Sequence, residues 1–179
     1  MRALPLMLCV VVLAAAAPAY SKISVVTLEE LTRSSDQIVT VKVTDVTRSQ
    51  IESRVVLHAK AMVLQTLKGP PLTEIQFVAY PAGPDTMDST EDAVVGETAL
   101  LFLYKGDDGT YGIKQAGRGR MPIRQVGGKT YATLWDDVLL PESAPAIPGP
   151  EPKYSFIVSV ELSYLEKLIK NFRHLTRAP

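Results

Sequence analysis

RVVLHAKAMVLQTLKGPPLTEIQFVAY, residues 54–80, holds two alternating apolar runs on either side of the break Lys68-Gly69-Pro70-Pro71. In the first run Val55, Leu57, Ala59, Ala61, Val63 and Leu67 share one parity, and His58, Lys60, Gln65 and Thr66 interrupt any helical stripe. A period of two places that apolar set on the buried face of a long strand. Beyond the break Ile75, Phe77 and Ala79 take one face and Gln76, Val78 and Tyr80 the other, in residue types that suit a pleated surface. Proline has no amide to give to a ladder and glycine no side chain to pack, so the break separates neighbouring strands of an antiparallel sheet.

Upstream, Thr27-Leu28-Glu29-Glu30-Leu31 fits a capping box that opens a short helix, and Ile38 to Val46 alternates as a first, half-buried strand. The polar stretch Arg48 to Ser53 is expected to turn the chain into the strand that follows. Downstream, the stretch from Pro81 to Asp92 has no apolar period and reads as the longest internal loop. Ala99 to Tyr104 is an apolar run buried on both faces, far too short to span a membrane. Gly106-Asp107-Asp108-Gly109 then makes a hairpin with Tyr111 to Gln115. Gly117, Arg118, Gly119 and Arg120 bend the returning strand, Met121 to Arg124 resumes it, and Gly127-Gly128 turns into Tyr131 to Trp135.

Prolines recur between Pro141 and Pro152, which predicts an extended connection, with Phe156-Ile157-Val158 as a short edge strand after it. Leu162, Leu165, Leu168, Ile169 and Phe172 fall at helical spacing and predict a C-terminal amphipathic helix that covers the sheet. No repeat at a solenoid period is present.

Arg2, the apolar run from Leu6 to Ala17 and the triplet Ala17-Pro18-Ala19 read as a secretory signal peptide over residues 1–19. Cys9, the only cysteine, lies inside it, so the exported chain must be held by its core rather than by disulfides. Removing Arg2 leaves 18 of the 19 basic residues against 19 acidic ones, which gives no overall field toward nucleic acid or an anionic membrane. The expected organisation is one domain: a mainly β, OB-like antiparallel β-barrel of about six or seven strands over residues 20–140, with a short N-terminal helix. A Pro-rich connection over 141–153 and a C-terminal strand and helix over 154–179 complete it.

Three stretches carry a family resemblance: Ser35 to Val43 (SDQIVTVKV), Val63 to Gly69 (VLQTLKG), and Gly96 to Leu103 (GETALLFL). The region from about Ser35 to Ile123 resembles secreted bacterial proteins whose body is similar to the netrin-like module of tissue inhibitors of metalloproteinases, an OB-type barrel. The resemblance implies a fold and, by analogy, an inhibitory or protease-associated role. It implies no site residue, because that inhibition rests on an N-terminal cysteine and this chain has none outside the signal segment.

The chemistry-bearing residues are sparse. No Gly-x-Ser-x-Gly elbow is present, and His58 and His174 are the only histidines. His58 reads as an ordinary strand residue before it reads as part of a Ser-His-Asp hydrolase, and His174 as a helix C-terminal charge. Asp85, Asp88, Glu91 and Asp92 gather on the long loop without calcium-hand spacing, so they read as a solvated acidic surface rather than a metal site. Two distant histidines do not supply a zinc site. Arg118, Arg120 and Arg124, with Lys114 and Lys129, predict a basic hairpin surface, where the scarcity of stacking aromatics argues against nucleic acid. Tyr131, Leu134 and Trp135 read as core cover before they read as a docking patch. The expectation is an exported, periplasmic or extracellular, non-catalytic module without cofactor or membrane span. Its partner is an extracytoplasmic protein met through the acidic loop or the arginine face.

Overall fold

A computed structural model describes residues 25–51, 54–80, 93–115, 117–135, 137–141, 144–148 and 157–175. The elements run β1 (Val26–Thr27), α1 (Leu28–Ser34), β2 (Gln37–Ile51), β3 (Arg54–Lys68), β4 (Glu74–Ala79) and β5 (Thr98–Lys105). They continue through β6 (Tyr111–Ile113), β7 (Arg120–Val126), β8 (Lys129–Trp135), β9 (Val138–Leu139), β10 (Ala146–Pro148), β11 (Ile157–Glu161) and α2 (Leu162–Leu175). The fold is mainly β, with a closed five-stranded barrel and two helices. Against about six or seven expected strands, eleven are present among the described residues, four of them only two or three residues long.

β2 pairs with β3 and β5, β3 with β4, and β4 with β6 in parallel; β6 then returns to β5 and closes the barrel. Its interior is filled by Val39, Val41, Ala59, Ile75, Phe77 and Leu101, among others, which is the alternation expected of half-buried strands. β5 is buried on both faces as its sequence predicts: Ala99, Leu101 and Leu103 point into the barrel, Leu100 and Phe102 away from it.

The sheet continues past the barrel through β7, β8, β11 and β10. A second core lies between this extension and the helices, built from Leu28, Leu31, Phe102, Met121, Leu134, Leu165 and Ile169, among others. Thr27 caps α1, its hydroxyl accepting from the Glu30 amide at 3.0 Å. At the other end Lys68 Nζ donates to the carbonyls of Thr32 and Arg33, at 2.7 and 3.0 Å. Arg173 Nη1 donates to the Leu67 carbonyl and ties α2 to the end of β3.

Four expectations need correction. Leu67 does not share the barrel face of Leu57 to Val63, because β3 carries an extra residue at Leu64 and another at Leu67 in its pairing with β2. Each bulge re-aims the side chains that follow, and Leu67 enters the second core. Of the polar stretch Arg48 to Ser53, Arg48 to Ile51 is strand rather than turn: Arg48 pairs with Leu57 and Ser49 with Val56, so β2 reaches Ile51, and Glu52 and Ser53 lie outside the described residues. The Pro-rich connection contributes β10, whose Pro148 sits opposite Val158 at the sheet edge, where a missing ladder donor is tolerated. β11 is therefore an interior strand between β10 and β8, not an edge. The signal segment over 1–19 and the long loop over 81–92 lie outside the described residues.

Candidate functional site

The expected arginine face turns inward. Arg120 and Arg118 are only 8% and 9% exposed. Arg120 Nη2 donates to both Glu97 carboxylate oxygens at 2.6 Å, and Arg118 Nε donates to Asp137 Oδ2 at 2.6 Å. Glu97 stands just before β5 and Arg120 opens β7, so the first pair clamps the seam between barrel and extension. Buried charge is stable only when paired, and these two arginines serve that need. Arg124 is half-buried and donates through Nε and Nη2 to Ser159 Oγ at 3.2 and 2.9 Å. Ser159 in turn lies 3.0 Å from Thr133 Oγ1. The three arginines do not form an exposed basic surface.

Lys129 is exposed and pairs with Glu161 at 3.0 Å. Hydrogen bonding to Lys129, and then to Ser163, holds the Glu161 carboxyl below its ordinary range, and the same contact raises Lys129. Asp85, Asp88, Glu91 and Asp92 lie outside the described residues, as does the His174 side chain. Leu134 is core, and Tyr131 and Trp135 are half-buried.

The open surface lies elsewhere, on the outside of the barrel. Thr47 pairs with His58, His58 with Val78, Val78 with Gly112, and Gly112 with Tyr104. Directly opposite residues share a sheet face, so this is one row crossing all five barrel strands. Thr47, His58 and Tyr104 are exposed and Val78 is half-buried. A parallel row, Asp45, Lys60 and Gln76, is exposed beside it, and Lys42, Met62 and Glu74 form a third.

Gly112 makes room for the Tyr104 side chain on this row. A Cβ there would stand 2.5 Å from the Tyr104 Cζ, so the tyrosine ring lies across the glycine, and Lys114 Nζ sits 5.4 Å from the ring centroid. The chain next to the ring leaves the ladder. Leu103 faces Ile113, but Leu101, two residues back along β5, faces Arg120, seven residues further on, so five extra residues are looped out. Gln115 takes a left-handed backbone in this excursion, φ 53°, and accepts from the Arg118 amide at 3.1 Å. Gly119 brings the chain back, approaching the Phe102 carbonyl so closely that a Cβ would lie 2.7 Å from it. Bulges and strained residues of this kind cluster where a protein re-aims a surface for use.

His58 Nε2 also lies 2.9 Å from Ser49 Oγ. The two groups are those of nucleophilic chemistry, which also needs donors aimed at a developing oxyanion. Among the described residues no group of three or more His, Cys, Asp or Glu is gathered for a metal, and no helix is long and apolar enough to cross a membrane.

The row was not singled out from the sequence because its members come from five strands. The period-two pattern did assign His58 and Val78 to the faces opposite the buried apolar sets, and those two were the signal for it. A scan of protein-family models gives no match to the chain, and a search of curated proteins gives none.

Proposed function

We propose that this chain is an exported, non-catalytic binding module of OB type that holds a partner protein against the outer face of its barrel. The order β2-β3-β4-β6-β5, with β4 and β6 as its parallel pair, supports the OB reading, and the likeness of residues 35–123 to netrin-like modules agrees with it. The observation that carries the functional reading is the row Thr47, His58, Val78, Gly112 and Tyr104 on the outer face of the barrel strands, in which Thr47, His58 and Tyr104 are exposed, Val78 is half-buried and Gly112 lies buried under the Tyr104 ring. The aromatic ring, histidine and lysines carried on this outer surface offer contact area and polar groups for orientation. The acidic stretch from Asp85 to Asp92 remains in the proposal as a second contact on sequence grounds.

The test is capture of exported proteins from the source organism by the folded chain and by a His58→Asp/Tyr104→Ala variant, with a Lys129→Ala variant as control. A partner retained by the control and lost by the double variant supports the reading. A partner retained by all three places the interface elsewhere and overturns it. If the partner is a protease whose turnover falls on binding, the module is an inhibitor. The Ser49–His58 contact favours a second reading, hydrolysis, which predicts turnover of small ester substrates that disappears in His58→Ala.

A further inference from the structure

We draw no further inference here: the strongest candidate, the exposed apolar pair Val94 and Val95 in the turn that leads into β5, carries nothing because nothing in the structure shows what covers it.

Discussion

The barrel interior and the layer beneath the helices are both apolar, but they are filled and closed differently. Barrel residues arrive by alternation, interrupted only at bulges, and Ala59, Ala61, Ala79 and Ala99 keep the tightly closed space small. The outer layer is built of larger side chains, Leu28, Leu31, Phe102, Met121, Leu165 and Ile169, brought together from two helices and a sheet. Backbone ladders close the barrel on itself; side chains close the outer layer. Lys68 holds the end of α1, Arg173 holds α2 to β3, and Arg118 reaches Asp137 beside β9. The lesson is that a periodic core can be built from local pattern, whereas a layer of mixed elements depends on individual long-range contacts.

β5 belongs to both regions, so the sharpest test falls on adjacent residues. Phe102→Ala empties the outer layer and should cost about 3–5 kcal/mol, and Leu101→Ala on the barrel side about 2–5 kcal/mol. Each should move one common urea transition, because the strand is shared. Two separate transitions, each sensitive to one substitution, would break the picture of coupled cores.

At the seam, Arg120→Ala leaves the Glu97 carboxylate without its guanidinium partner and should cost about 3–5 kcal/mol. Arg120→Met combined with Glu97→Leu should recover most of that loss, since neither charge of that pair then remains buried. If the double variant is as unstable as the single one, the pair does more than neutralise its own burial.

Smaller effects are expected where the outer layer relies on caps. Thr27→Ala should cost about 1 kcal/mol and Lys68→Met about 0.3–1 kcal/mol, read as shifts in the denaturant midpoint. Burial lowers the Lys68 pKa and the nearby Asp36 charge partly opposes it, so part of the ammonium's benefit is offset by its own desolvation.

The smallest effect belongs to the exposed pair on the extension. Glu161 has a depressed folded pKa, so its contribution is present above its unfolded value and is lost as pH falls through the folded one. Lys129 has a raised folded pKa, so its share is complete below the ordinary lysine range and is lost as pH rises through the raised value. This pair should therefore add a slight droop in Tm at each end of the pH profile, and Glu161→Gln should make both ends shallower, leaving the acid-side contribution of Asp108 in place. An unchanged profile would show that the pair contributes nothing.

Much of the barrel was legible in the chain. The alternation from Val55 to Val63, the doubly buried run at Ala99 to Leu103 and the Gly106 to Gly109 turn each correspond to an observed element. Leu67 was misassigned because a bulge is a property of two paired strands, and nothing in the run from Val63 to Leu67 marks the residue that will be extra. Arg118 and Arg120 were misread as surface because their carboxylates lie 19 and 23 residues away, and only folding brings them within 2.6 Å. The Pro-rich stretch hid β10 because an edge strand of three residues has no period to detect.

By itself the sequence determined which residues would be apolar on which strand face, where α1 starts and where hairpins turn, because these follow from neighbours within a few positions. Only the tertiary structure decided that two cores share β5, that three arginines lie buried or half-buried against distant partners, and that five strands set Thr47, His58, Val78, Gly112 and Tyr104 in one row. The physical reason is register: pairing between strands fixes which distant residues meet, and bulges and loop excursions shift that pairing by amounts that local composition does not specify.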